Sequence, residues 1–278
     1  MQVFECCLAN HNQGWPKYAQ RAVMTATEDW GDTLAVLLYH SFDATSVVLP
    51  SGSTANVSVS TAYPFNDTVA ITVTPSASLT LALRIPGWCT PPGTAANISE
   101  ICRVERTFCD QANGCRDRTD PCGPGDLFRT VLDAGKQQQL RLVLPMSVRL
   151  ENRTQNATAV SRGPLLYSYN VPWASSMDTQ CNASGLFPDA FASPDGRFTC
   201  DITINRTQPL PPLNVSSDSA FTFRAKPAAA PLPGQGVFSS FLTPVELEVS
   251  GGAANFTMIP YGSTDLRITE LPPRRNEV

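Results

Sequence analysis

The chain has 278 residues, of which 42% are hydrophobic, 8% aromatic and only 16% charged, with a net charge of -4. That length holds two domains, each with its own core, while 24 prolines and 17 glycines exclude a helical bundle. The charge is spread without a basic or acidic block, so nothing recruits nucleic acid or an anionic membrane, and no apolar run approaches the ~20 residues of a membrane span.

One helix is expected, opening at Pro16 and running through Ala26, with Tyr18, Ala22, Val23 and Ala26 on one face and Gly31 as its left-handed stop. From Asp32 onward the period is two. TLAVLLYHSF, ANVSVSTAYP, DTVAITVTP, SLTLALRIP, LFRTVLDAG and QQLRLVLPMSVRL read as strands bounded by Gly, Pro, Asn or Ser. Residues 89–125 interrupt them with a polar, cysteine-rich insertion, expected to be a loop tied by disulfides. AVSRGPLLYSYNV, RFTCDITIN, AFTFRA, VELEVSG and ANFTMIPYG form a second strand-like set, separated by the proline-rich loops QPLPPL and KPAAAPLPGQG. The pattern predicts an all-β chain of two tandem antiparallel β-sandwiches, over 30–155 and 156–278, behind a short helical segment over 1–29.

Two counts point to an oxidising, extracellular setting. Asn-x-Ser/Thr acceptors stand at Asn56, Asn66, Asn97, Asn152, Asn156, Asn182, Asn205, Asn214 and Asn255. Nine cysteines include five between Cys89 and Cys122, an odd number, so one must pair elsewhere or stay free. Cys181 and Cys200 flank a loop and are the expected disulfide of the second half. A zinc ribbon is the alternative for the five, but no CxxC pair occurs among them. Met1 is followed by Glu5 and no apolar stretch of a signal peptide, which leads to the expectation that the natural protein begins upstream of Met1.

The chemistry-bearing motifs are few. There is no GxSxG elbow, no HExxH and no glycine-rich phosphate loop. His11 and His40 are the only histidines, and His40, inside a strand-like run, reads as structural. The unusual feature is the vicinal pair Cys6-Cys7. A thiolate serves as nucleophile or as zinc ligand, and adjacent cysteines could divide those duties. In a cysteine-rich secreted chain they could equally be disulfide partners or buried thiols. Glu5 and His11 are the other ligand types nearby.

The strings ECCLAN, GDTLAVLLY, TAYPFNDTVAITV, LALRIPGW, GPGDLFRTV with LRLVLPMSVRL, AVSRGPLLYSY and MIPYG, in that order, resemble glycoside hydrolase family 127, the β-L-arabinofuranosidase type. The resemblance spans nearly the whole chain outside the cysteine-rich insertion and the proline-rich loops. It implies an (α/α)6 barrel followed by two β-sandwiches, so that residues 1–29 would be the last piece of the barrel. It further implies Cys6 as nucleophile of a retaining hydrolase, Cys7 as a ligand of its zinc, and an oligosaccharide or glycan as substrate. The family's remaining zinc ligands, a glutamate and a cysteine, and its acid/base glutamate lie upstream of the pair. The isolated chain is therefore expected to be inactive and to hold no zinc stably. Where the family commonly has Pro-Pro-Asn after the pair, this chain has Leu8-Ala9-Asn10, which leaves the sugar open. The alternative reading is a non-catalytic carbohydrate-binding or structural β-sandwich of the cell surface.

Overall fold

Alternation of buried and exposed residues, sharpened by β-branched side chains, sets most of the strands. The computed structural model describes residues 10, 13–93, 97–110, 114–170, 173–176, 201–204, 222–227, 245–251, 255–263 and 267–271. One unit runs to Ser147 and another begins at Val148.

The first unit opens with helix α1 (Gly14–Gln20), then β1 (Val23–Glu28), β2 (Gly31–Val36), β3 (Phe42–Val48), β4 (Thr54–Thr61), β5 (Thr68–Pro75) and β6 (Leu79–Arg84). It continues with β7 (Arg103–Asp110), β8 (Gly114–Pro121), β9 (Leu127–Leu132) and β10 (Gln138–Val143). The helix is shorter than expected. Val23-Met24-Thr25-Ala26-Thr27-Glu28 form a strand instead, because pairing with β2 over Val23↔Val36 to Glu28↔Gly31 overrides a weak local helical pattern. Gly31 does take a left-handed φ of 109°, but in the β1–β2 turn rather than at a helix end.

Two sheets result, one in the order β1-β2-β6-β9 and the other β3-β4-β5-β10-β7-β8. β2 and β6 run parallel, over Thr33↔Thr80 to Val36↔Leu83, within an otherwise antiparallel arrangement of described strands. The three strands between them in sequence all belong to the facing sheet, which supplies the long crossover that a parallel pair needs. A single core joins the sheets: Leu34, Leu81, Leu83 and Leu132 from the first pack with Val57, Ile71, Val73, Val104, Leu140 and Leu142 from the second. This is a sandwich, and each fully buried leucine contributes about 1.5–3 kcal/mol of transfer free energy.

The insertion is more ordered than a tied loop. It carries the β7–β8 hairpin, which extends the six-stranded sheet through pairing of β7 with β10. Cys89 and Cys102 are bonded, while Cys122 is buried with a free thiol. Arg106 on β7 reaches across to the other sheet. Its guanidinium binds Asp120 at 2.9 Å, donates to Thr130 Oγ1, and lies 5.4 Å from the centroid of the Phe128 ring. Beside it, Glu105 accepts from Arg103 at 2.8 Å and from Arg141 at 2.7 Å.

The second unit contains β11 (Val148–Asn152), β12 (Thr158–Arg162), β13 (Leu165–Asn170), β14 (Trp173–Ser176), β15 (Asp201–Ile204), β16 (Thr222–Pro227), β17 (Val245–Ser250), β18 (Phe256–Pro260), β19 (Arg267–Ile268) and β20 (Glu270–Leu271). The main sheet runs β11-β12-β13-β18-β17-β16, with β19 beside β13 and β20 beside β12, and β14 pairs with β15. Gly163, at φ 56°, makes the turn in RGP between β12 and β13. Val160, Tyr167, Leu247, Val249, Met258 and Leu271 form the core on this sheet, and Phe256 meets Tyr169 edge-on at 6.1 Å. The described chain is thus all-β apart from α1 and short 3₁₀ turns.

Two outcomes test this account. Leu81→Ala should lower the unfolding free energy by about 2–5 kcal/mol in a guanidinium melt, whereas Val131→Ala, at 67% exposure, should change it by less than ~0.5 kcal/mol. Partial burial pushes the Glu105 carboxyl up, but the hydrogen bonds from Arg141 and Arg103 outweigh it and hold the carboxyl below its ordinary value. Its stabilisation is therefore present above the unfolded glutamate range and lost as pH falls, below about 5. Glu105→Gln should be less stable than the parent at pH 7, and the gap should narrow as pH falls through the acid range in the same melt.

Candidate functional site

Among the described residues the chain reaches the first sandwich through Asn10 and the segment 13–22. Cys6 and Cys7 themselves, with Cys181, Cys200, Asn182, Asn205 and Asn214, lie outside the described residues. Asn10 is the first described position. Its carbonyl accepts from the Gln13 N–H at 3.1 Å, and its Oδ1 accepts from Gln13 Nε2 at 3.0 Å, a local closure that leads into α1. Pro16 sits in the first turn of α1, where its missing N–H costs nothing. The helix closes on Tyr18 and Ala19, whose carbonyls accept from Arg21 and Ala22 at 3.1 Å.

α1 buries no residue of its own and is held from one side. Tyr18 lies 5.6 Å from His40 between ring centroids, and His40 lies 5.2 Å from Phe42. The His40 Nδ1 is buried without a hydrogen-bond partner among the described residues. Set between the rings of Tyr18 and Phe42, His40 packs between helix and sheet. Ala22, 1% exposed, ends the connection, and its carbonyl accepts from Leu37 at 2.8 Å.

Beneath this contact the string RIPGW performs a structural task. Arg84 Nε donates to the Leu37 carbonyl at 2.6 Å, and the Tyr39 hydroxyl donates to the Arg84 carbonyl. Tyr63 stands edge-on to Tyr39 at 6.0 Å. Ile85 is buried, its N–H donates to Asp126 O at 2.8 Å, and its carbonyl accepts from Gly125 at 3.1 Å. The RIPGW and GPGD strings are therefore neighbours through backbone hydrogen bonds, and Gly125 permits it with φ 81°. Burial raises the Tyr39 phenol far above its ordinary value, with Arg84 opposing, and burial likewise raises Tyr63. Both are neutral hydrogen-bonding groups at any physiological pH.

Cys122 is pushed up to about 11 by burial, which makes it a poor nucleophile, and its Sγ sits 3.5 Å from the Asp120 carbonyl. Among the described residues no cluster of three His, Cys, Asp or Glu side chains could hold a metal ion. The six described glycosylation acceptors, Asn56, Asn66, Asn97, Asn152, Asn156 and Asn255, are all exposed. Asn56 Oδ1 accepts from the Ser46 N–H at 2.8 Å and Asn66 Oδ1 from the Thr68 N–H at 3.0 Å. The Tyr39–Arg84–Tyr63 cluster escaped sequence reasoning, which placed Arg84 only inside a recurring string.

No family model matches the chain, and no curated protein matches it. Solved structures do. A glycoside hydrolase is similar over 97% of this chain and 40% of its own, at 17% identity and a TM-score of 0.50. A GH127 β-L-arabinofuranosidase from Geobacillus stearothermophilus T6 is similar over 97% of this chain and 37% of its own, at 15% identity and a TM-score of 0.49. A GH127 β-arabinofuranosidase covers 87% of this chain and 35% of its own, at 15% identity and a TM-score of 0.44. The chain thus spans 40% or less of the length of these proteins, and what it shares with the first is the fold.

Tyr39→Phe should cost about 1–3 kcal/mol by leaving the Arg84 carbonyl without its donor. Because the folded phenol resists ionisation, stability should be intact below the unfolded tyrosine value near 10 and fall as pH rises above it. Thermal melts between pH 8 and 11 should show a shallower alkaline decline in the variant.

Proposed function

We propose that this chain is the C-terminal part of a secreted glycoside hydrolase of the β-L-arabinofuranosidase type. In this reading Cys6 is the nucleophile of a retaining hydrolysis, Cys7 is a zinc ligand, and the substrate is a plant-type or cell-wall glycan. The observation that carries the reading is the placement of the family-like strings on one fold. LALRIPGW runs along β6 into the Arg84–Leu37 tie, GPGDLFRTV closes against it through β9, AVSRGPLLYSY is the β12–β13 hairpin, and MIPYG ends β18. The similarity to a solved glycoside hydrolase over 97% of the chain supports it. Secretion is supported by the exposure of the six described acceptor asparagines and by the Cys89–Cys102 bond.

In a double displacement the Cys6 sulfur attacks the anomeric carbon while an acid protonates the departing oxygen, and water then releases the sugar with inversion a second time. A cation beside vicinal thiols favours the thiolate, and that is the chemistry a zinc ion supplies when bound. The contribution of this chain's described residues is positional: the Tyr18–His40 contact and the Arg84–Leu37 bond fix the helix that follows the cysteines. The acid/base glutamate and further ligands would come from a preceding barrel, so the isolated chain is proposed to be inactive.

A second reading, a carbohydrate-binding module, draws on Trp15 and Trp30, which are 63% and 62% exposed and could stack on sugar rings.

The purified 278-residue chain should show no hydrolysis of an aryl β-L-arabinofuranoside and less than one zinc per molecule by mass spectrometry of metals. Turnover by pure material would overturn the proposed inactivity. Oligosaccharide titration with tryptophan fluorescence separates the second reading: saturable quenching that Trp15→Ala and Trp30→Ala remove would favour it.

A further inference from the structure

Of the five cysteines of the insertion, two are joined and a third is a thiol. Cys89 and Cys102 are joined, with 2.06 Å between sulfurs, and Cys122 is a buried thiol. Cys109 and Cys115 remain, and the β7–β8 register places them directly opposite each other. From that juxtaposition we infer that Cys109 and Cys115 form a second disulfide, which ties the outer end of the β7–β8 ribbon.

The ribbon needs such a tie. β10 pairs with β7 only over Arg103 to Arg106, whereas the β7–β8 ladder continues through Thr107↔Asp117, Phe108↔Arg116 and Cys109↔Cys115 to Asp110↔Gly114. Among the described residues the outer half is therefore a two-stranded ribbon beyond the third strand, and two strands without a third are marginal in water. Its sequence, TFCDQANGCRD, offers a single large apolar residue to compensate.

The geometry suits the bond. Opposed residues of an antiparallel pair have Cα atoms about 4.5–5.5 Å apart, inside the ~4.4–6.8 Å that a disulfide spans. Thr107 and Asp117 lie two residues inward on each strand, hence on the same face and in the same kind of pair. Their side chains meet across the strands, Thr107 Oγ1 donating to Asp117 Oδ1 at 2.7 Å. The same register pairs residues 109 and 115, both cysteines, one step of two residues further out.

Formation is an exchange with a protein disulfide of the secretory pathway. One thiolate displaces a sulfur from the donor and forms a mixed disulfide, and the second thiolate then attacks that bond. The two cysteines lose two protons and two electrons, and the donor leaves as two thiols. The inference rests on the secreted reading, because a reducing compartment would hold both as thiols.

Unreduced, alkylated protein from a secretory expression host tests it by peptide mapping. Trypsin leaves Thr107–Arg116 as one peptide with both cysteines, and cleavage before Asp110 divides it. The expected result is an unalkylated tryptic peptide, lighter by two hydrogens than its reduced form, whose two halves stay joined after the second cleavage. Alkylation at both Cys109 and Cys115 with Cys89–Cys102 still bonded overturns the inference and leaves secretion standing. Alkylation at all four overturns both. A link from either to another cysteine also overturns it.

Discussion

Burial of β6 on both faces is the constraint from which the rest of the first unit hangs. Leu79, Thr80, Leu81, Ala82 and Leu83 are all below 9% exposed, with β2 and β9 at the strand's sides and its three leucines in the core shared with the six-stranded sheet. A strand so enclosed cannot slip by one residue without turning its core face outward. Its end is correspondingly fixed, and Arg84 at that end holds Leu37 and the Tyr39 hydroxyl. The loop so held receives Tyr18 of α1 on His40. Packing in the core is thereby converted into the position of the segment that follows Cys6-Cys7.

A different balance holds the cysteine-rich insertion. Its inner part joins the core through Cys102, Val104 and Cys122, all buried. Its polar strands are then aligned by charge: Arg106 and Arg118 converge on Asp120, and Arg103 and Arg141 converge on Glu105. The pairs whose arginine is exposed, Arg118–Asp120 and Arg141–Glu105, are worth ~0–1 kcal/mol each. Arg106 differs from the rest in that it also binds Thr130 and covers Phe128 in the other sheet. Loss of that one residue would remove the polar and ring contacts of the hairpin with β9 and leave the apolar ones.

Much of the fold was legible because alternation is a local signal. ANVSVSTAYP, DTVAITVTP and SLTLALRIP announce β4, β5 and β6 by period two with β-branched residues, and RGPLLYSY announces a hairpin. The helix was overextended because Ala22, Val23 and Ala26 fit a helical face as well as a strand, and only pairing with β2 decides between them. β7 and β8 were hidden because RVERTFCD and GCRDRTDP carry charge where strand patterns carry apolar residues, and their partners are ion pairs. At the candidate site, Cys6-Cys7 is conspicuous as a dipeptide, yet its proposed role comes only from the resemblance. The Tyr39–Arg84 bond could not be read at all, since it joins residues 45 positions apart.

The parallel pairing of β2 with β6 has a consequence for the order of assembly. β4 and β5 are joined by a short turn, and β3 lies next to β4, so those strands can zip locally as soon as they exist. β2 cannot find β6 until the intervening strands have been taken up by the opposite sheet, and closing so long a segment carries an entropic cost before any contact repays it. An interruption in β3, β4 or β5 would therefore be felt at the β2–β6 seam of the opposite sheet.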